Sequence, residues 1–151
     1  MSFRKQYFHY EKIVSRYLRE RSIFLLRMSL GIIFFWYGLL KVIGISPVEE
    51  LVERATHWIV GARDFVFVLG IWEMIIGLCL FFRKYKRIGL ILLFMQFPGT
   101  FLPLFTNPED CFTFIPFGLA LEGQYVFKNL VLISAGLVLI GSLHKGKEQL
   151  K

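Results

Sequence analysis

Long apolar runs separated by short polar segments dominate this chain. Four runs, at residues 23–45, 65–82, 88–105 and 125–143, each approach the ~20 apolar residues that a helix needs to cross a bilayer. We find no internal repeat, low-complexity tract or interdomain linker between them. The pattern predicts an all-α integral membrane protein, a bundle of four transmembrane helices within one domain at residues 23–143.

Two amphipathic segments accompany the first run. In residues 1–22, apolar side chains recur at helical spacing and basic side chains fill much of the remaining surface. This predicts an interfacial helix on the membrane surface, with a frayed basic tail as the alternative. After the first run, Ser46-Pro47-Val48-Glu49 forms a capping box. It predicts a short amphipathic helix, at about residues 47–60, on the outer surface.

The basic residues predict how the chain is oriented in the membrane. Thirteen of the 18 Lys and Arg residues lie at 1–22, at 83–87 and in the tail at 144–151. The two loops on the other side hold only Arg54 and Arg63. The positive-inside rule therefore places both termini, including the basic tail at 144–151, in the cytoplasm of a multi-pass inner (plasma) membrane protein.

Composition narrows the classes of protein and partner. Of the 151 residues, 56% are hydrophobic, which exceeds what a soluble domain of this length can bury. The net charge is +7, but the basic residues flank apolar runs. We therefore expect a bilayer with anionic headgroups as the partner, and no nucleic acid. Cys79 and Cys111 should lie at different depths as unpaired thiols, and the three separated histidines indicate no metal site.

Besides Arg27 near the cytoplasmic end of the first run, three ionisable residues interrupt the apolar runs: Lys41, Glu73 and Lys128. A charge at the centre of a membrane helix costs at least ~2.5–3.5 kcal/mol on insertion scales, so such residues are usually functional. Glu73 falls near the middle of its span, and both lysines fall ~10 Å toward the outer side. We expect a polar cluster in the outer half of the bundle. A purely structural ion pair, or lysines that extend to the headgroups, are the alternatives.

Small and polar residues share a helix face with these charges. Arg27, which we expect to extend to the headgroups, lies on the face of Lys41, and Gln124 lies on the face of Lys128. Small residues mark contacts between membrane helices, so these faces should point inward. The glycines predicted to pack helix against helix are Gly31, Gly38, Gly70 and Gly77.

The third span carries a possible interruption at Pro98-Gly99, near mid-membrane. A helix broken at this depth is tolerated where protein or a wet cavity satisfies the backbone, and Gln96 would line such a cavity. A simple proline kink is an equal alternative. No residue is assigned a catalytic role. The candidates for binding a ligand are Lys41, Glu73, Lys128, Gln96, Gln124 and Asn129.

Three motifs carry a resemblance to a known family. They are RMSLGIIFFWYGLLK (27–41), LGIWEMIIG (69–77) and EGQYVFKNLVL (122–132). In this order they resemble the first, second and fourth spans of the DoxX-like family, nearest its reactive-chlorine-resistance (RclC, YkgB) branch. The chain departs from that branch in its short segment between spans 1 and 2, and in Asn129, where an acidic residue is common.

The resemblance implies an inner-membrane protein whose relatives serve thiosulfate:quinone oxidoreduction, or oxidative and chlorine stress. In distant branches they serve cargo handling or receptor assembly. We expect a redox- or stress-related membrane component with an intramembrane pocket for quinone or a small polar ligand, working with a partner redox subunit or as a homo-oligomer. If it is an enzyme, it is a quinone-linked oxidoreductase subunit. A small transporter or channel and a non-catalytic assembly or scaffold protein are the alternatives.

Overall fold

The computed structural model describes residues 3–46, 49–56 and 62–148, and these are mostly helical. A two-stranded antiparallel hairpin lies between the sixth and seventh helices. In chain order the elements are α1 (Phe3–Val42), α2 (Glu49–Ala55), α3 (Ala62–Phe81), α4 (Lys86–Thr100), α5 (Pro103–Thr106), α6 (Pro108–Cys111), β1 (Phe112–Phe114), β2 (Gly118–Leu119), α7 (Leu121–Phe127) and α8 (Asn129–Glu148).

Four helical segments in the described part of the chain are long and apolar enough to cross a membrane. They are Arg21–Val42, Asp64–Phe81, Lys86–Thr106 and Leu121–Leu143. The spans pack in a ring, in which α1 contacts α3, α3 contacts α4, α4 contacts α8, and α8 contacts α1. Only 17–33% of each span is buried inside the protein, so most of the apolar surface faces outward. The predicted four-helix membrane bundle is confirmed.

The first helix differs from the prediction. α1 is 40 residues long, so the predicted surface segment and the first span form one helix and not two. Residues 18–25 contain neither Gly nor Pro, and Arg, Leu and Glu among them favour a helix, so nothing ends the helix at the membrane boundary. α1 ends at Val42, two residues before Gly44. The φ of Gly44 is 72°, in the left-handed region that glycine adopts without strain and that commonly follows the end of a helix.

The predicted surface helix after the first span is present in part. α2 covers Glu49–Ala55, whereas Pro47, Val48 and residues 57–61 lie outside the described residues, and so does the predicted start of the helix at Pro47. Leu51 is buried, and Arg54 pairs with Asp110 of α6 at 3.0 Å. α2 is thereby attached to the end of the bundle that also holds α5, α6 and the hairpin.

Pro98-Gly99 does not break the third span. α4 continues through both residues and ends at Thr100, because a proline removes only one helical hydrogen bond and the preceding turns remain helical. The chain then tightens into i→i+3 bonds, from the Phe101 N–H to the Pro98 carbonyl at 3.3 Å and onward, before α5 begins at Pro103. The fourth span has an irregularity that was not predicted, since Lys128 separates α7 from α8.

The apolar core lies toward the end of the bundle where Arg27 and residues 83–87 are found, hereafter the basic end. It comprises Leu30, Phe34, Ile76, Leu80, Leu90, Leu93, Phe97 and Leu139. The hairpin closes the opposite end, and its tip exposes Phe114, Ile115 and Phe117. The buried polar residues of α3 and α4 lie between these two ends.

Candidate functional site

Three of the predicted residues meet in one buried network. The Lys41 ammonium donates to Glu73 Oε2 at 2.6 Å, and the Gln96 amide nitrogen donates to Glu73 Oε1 at 2.7 Å. The residues come from α1, α3 and α4, and they are exposed by only 7%, 7% and 9%. The site is therefore a water-excluded ion pair with an amide hydrogen-bonded to its carboxylate.

Glycine positions the lysine in this network. Lys41 is the penultimate residue of its span and Glu73 lies near the middle of the next, so the lysine stem must run inward between the two helices. A Cβ on Gly70 would lie 2.9 Å from the Lys41 Cβ, and a Cβ on Gly38 would lie 2.5 Å from the Gly70 carbonyl oxygen. The absence of both side chains leaves the space through which the stem reaches the carboxylate.

A second glycine contact fixes the register of α1 against α3. A Cβ on Gly77 would lie 2.7 Å from the Gly31 carbonyl oxygen. Moving seven residues from Gly31 to Gly38 along α1 corresponds to moving seven residues back from Gly77 to Gly70 along α3, as antiparallel helices require. The four glycines therefore form one seam along which the two backbones touch.

The charges of the network compensate each other. A buried carboxylate or ammonium group is costly alone, and the pair at 2.6 Å supplies each with its opposite charge. Both carboxylate oxygens have a partner. Because an amide must turn its N–H group toward a carboxylate, the Gln96 oxygen points away, and this buried oxygen accepts no hydrogen bond from the described residues. The network thus has one unsatisfied acceptor.

Lys128 does not join Glu73, which corrects the predicted cluster. Its ammonium lies 5.1 Å from the centre of the Tyr37 ring and 4.3 Å from that of the Tyr125 ring, and the side chain is exposed. The physical reason is the ring order of the bundle: the fourth span packs on α1 and α4, diagonally across from α3. The two oxygens of Glu73 are also already bonded. Lys128 instead forms a cation–π contact at the surface of the bundle.

The remaining predicted residues lie apart from the network. The Gln124 side chain is exposed and Asn129 is half-buried. Gln124 precedes Lys128 by one helical turn, so the two side chains emerge on the same side of the fourth span. Helical spacing correctly groups them, but it cannot say which neighbour that side faces.

Arg27 has a structural role that its sequence position did not predict. We expected this side chain to extend to the headgroups, whereas it is buried, with 8% exposure. Its Nη1 donates to the carbonyl oxygens of Leu80 at 2.7 Å and Phe81 at 3.1 Å, which are the last residues of α3. Arg27 thus caps a helix end whose carbonyls lack partners within the helix. The sequence did hold a signal for this role, because Arg27 lies on the same face of α1 as Gly31 and Gly38, which packs against α3.

The cysteines form no disulfide. Cys79 is partly buried and Cys111 is fully buried, and both are free thiols. Burial is the main cause that raises the pKa of the Cys111 thiol, which therefore stays protonated at neutral pH. The neighbouring carboxylates of Asp110, Glu122 and Glu109 raise this pKa further. Within the described residues, no three His, Cys, Asp or Glu side chains are grouped as metal ligands.

No protein-family model, curated protein or solved structure matches this chain. The three segments with sequence motifs lie in α1, in α3 and around the junction of α7 and α8. Residues 27–41 and 69–77 hold the two helices in contact along the glycine seam. Residues 122–132 surround the junction of α7 and α8.

Proposed function

We propose that the chain is a DoxX-like protein of the inner (plasma) membrane, with both termini in the cytoplasm, and a component of redox or oxidative-stress metabolism. Its site is the network of Lys41, Glu73 and Gln96, and its ligand is a quinone in the quinol form. The observation that carries this proposal is the buried Gln96 oxygen, which accepts no hydrogen bond within the described part of the chain. A buried acceptor of this kind calls for a donor that the described residues do not supply.

A quinol has the chemistry that the unsatisfied acceptor requires. Its hydroxyl group donates a hydrogen bond, and its apolar body reaches a site inside the bilayer from the lipid. In this arrangement Gln96 accepts the hydroxyl and orients the ring, and its amide nitrogen links the ligand to Glu73. Lys41 holds the carboxylate in place and balances its charge. The bound quinone supplies the exchange of electrons and protons with a partner subunit.

A second function is favoured by a different observation. Lys41 and Glu73 neutralise each other at 2.6 Å, and both carboxylate oxygens are bonded, so the pair itself needs no ligand. In a scaffold or assembly protein the pair would serve only to join α1 to α3, and one buried water would satisfy Gln96. A small transporter or channel has weaker support, because α4 continues through Pro98 and Gly99 and the span is interrupted only beyond them, at Phe101 and Leu102 near its end.

Quinone binding separates the first two functions. The full-length protein is purified in mild detergent, its lipid extract is assayed for quinone, and binding of decylubiquinol is followed by tryptophan quenching. Gln96→Met should weaken binding at least tenfold, because it removes the acceptor at similar side-chain volume. Gln124→Met is the matched control, since the same change at an exposed glutamine should alter binding less than twofold.

Two results would decide against the quinol site. One is that the wild-type protein neither carries quinone nor binds decylubiquinol. The other is that Gln96→Met and Gln124→Met bind it equally well. Thermal unfolding of each variant is measured in parallel, so that a loss of fold is not mistaken for a loss of binding. Wild-type stability together with absent binding would favour the scaffold function.

A further inference from the structure

A cavity of about 410 Å³ opens between the helices at the basic end. This volume lies within the ~300–1,000 Å³ that ligand pockets usually have. Residues from α1, α3, α4 and α8 and from the turn between α3 and α4 line it. Its inner wall is apolar and includes Leu80, Leu90 and Leu139, which are also members of the buried core.

Four cationic side chains surround this cavity: Arg21, Arg27, Arg83 and Lys86. Among the described residues that line it there is no carboxylate, and the remaining polar group is the hydroxyl of Ser142. Arg83 is close enough to both Arg27 and Lys86 for their charges to repel. Like charges gathered without a counter-charge are unfavourable, so the cavity is suited to an anion.

Arg27 is held ready for such an anion. Its two hydrogen bonds to the end of α3 are both made by Nη1, whereas a guanidinium group carries five N–H donors. The bonds fix the plane of the group at the wall of the cavity, where it also lies 5.6 Å from the centre of the Phe24 ring. A guanidinium that is already oriented loses little entropy when it binds an oxyanion, and its fork matches phosphate oxygens.

The depth of the cavity points to a lipid as the source of that anion. Arg21 and Lys86 are the first residues of their spans and Leu143 is the last residue of another, so the opening lies at the boundary of the apolar region. Phosphate groups of phospholipids occupy this depth. The cavity combines cations at that level with a leucine wall that continues into the bundle, which matches a phosphate joined to acyl chains.

We propose that this basic cavity binds the phosphate group of an anionic phospholipid from the same leaflet. Arg27 and Arg83 would contact the phosphate oxygens, Lys86 would contribute charge, and the leucine wall would contact the upper part of the acyl chains. The site differs from the general attraction between a basic surface and a negative membrane, because it depends on particular residues. Inorganic phosphate shares the charged group but lacks the chains, and it therefore serves as a probe of the source.

Two arginines near the start of α4 provide a matched test: Arg83 in the turn before it and Arg87 in its first turn. Arg83 lines the cavity, whereas Arg87 lies four residues away and does not, and both side chains are exposed. Arg83→Gln and Arg87→Gln change the net charge equally. The full-length protein is placed in nanodiscs containing phosphatidylglycerol or only phosphatidylcholine, and retained lipid is counted by native mass spectrometry. Displacement of fluorescent phosphatidylglycerol in micelles gives relative affinities.

We expect phosphatidylglycerol to be retained at least tenfold better than phosphatidylcholine, with one molecule held most tightly. Arg83→Gln should reduce this preference about tenfold, whereas Arg87→Gln should change it less than twofold. Short-chain phosphatidylglycerol should displace the fluorescent lipid at concentrations where inorganic phosphate does not. Equal losses in the two variants would overturn the proposal in favour of diffuse surface charge. Equal displacement by inorganic phosphate would overturn the assignment to a lipid.

Discussion

Replacing Lys41 with methionine removes the ammonium group of the buried pair and keeps most of the apolar stem. At 2.6 Å and an effective dielectric constant of about 20, the attraction between the two charges is about 6 kcal/mol before desolvation is subtracted. Both side chains are more than nine-tenths buried, so water does not screen the pair appreciably. Removing one partner of such a pair typically costs about 3–5 kcal/mol, because the other charge is left uncompensated.

We therefore expect Lys41→Met to lower the free energy of unfolding by about 3 kcal/mol, near the low end of that range because Gln96 still bonds the carboxylate. The double variant Lys41→Met/Glu73→Gln replaces the charges with a neutral amide. It should lie within about 1 kcal/mol of wild type, since exchanging a whole buried pair for neutral groups is often close to neutral. The matched control is Lys128→Met, which removes an exposed ammonium and should cost about 0.5–1 kcal/mol.

The assay is equilibrium unfolding in mixed detergent micelles, with increasing SDS and tryptophan fluorescence as the signal. The single variant Glu73→Gln is measured as well, and the reasoning is refuted if the double variant loses the sum of the losses in Lys41→Met and Glu73→Gln, because the two residues would then contribute independently. It is also refuted if Lys128→Met costs as much as Lys41→Met. That result would mean that a lysine at this depth contributes equally to the free energy of unfolding whether or not it contacts a carboxylate.

Three further predictions concern packing, reactivity and orientation. Gly38→Ala should lower the free energy of unfolding by about 1–3 kcal/mol, because the added Cβ would lie 2.5 Å from a carbonyl oxygen. Gly99 has open space around it, so Gly99→Ala should be nearly neutral in the same assay. At pH 7.5, maleimide should modify Cys111 only after unfolding, because the raised pKa of this buried thiol keeps it protonated. A cysteine introduced at an exposed position by Thr113→Cys should react in the native protein, and equal reaction rates of the two thiols would contradict this. An impermeant maleimide should label Thr113→Cys on spheroplasts but Lys84→Cys only after lysis, and the reverse would invert the proposed topology.

Several features of the fold follow from the sequence because each depends on local spacing. Span length fixes the number of crossings, and the seven-residue spacing of glycines marks the faces of α1 and α3 that touch. The positions at which helices end were harder to predict. The joined α1 shows that a change from basic to apolar residues does not end a helix when no Gly or Pro intervenes. α4 passes through Pro98 and ends at Thr100, so the proline alone does not end the helix, and the interruption of the span follows at Phe101 and Leu102.

The candidate site could be predicted only in part. Sequence alone identified Lys41, Glu73 and Gln96 as polar residues of membrane spans, because hydrocarbon makes such residues costly wherever they occur. It could not tell that Glu73 pairs with Lys41 and not with Lys128, since helical phase gives the direction of a side chain relative to its own axis and not to a neighbour.

The order of helices around the bundle settled that choice. The fourth span lies across from α3, so Lys128 contacts two tyrosine rings while Lys41 passes over Gly70 to the carboxylate. The same order gathers Arg21, Arg27, Arg83 and Lys86 around one cavity, although they are spread over 66 positions of the chain. The chain by itself determined which residues are out of place in a membrane. Only tertiary packing decided which of them compensate one another, because that depends on distances between helices that no local pattern encodes.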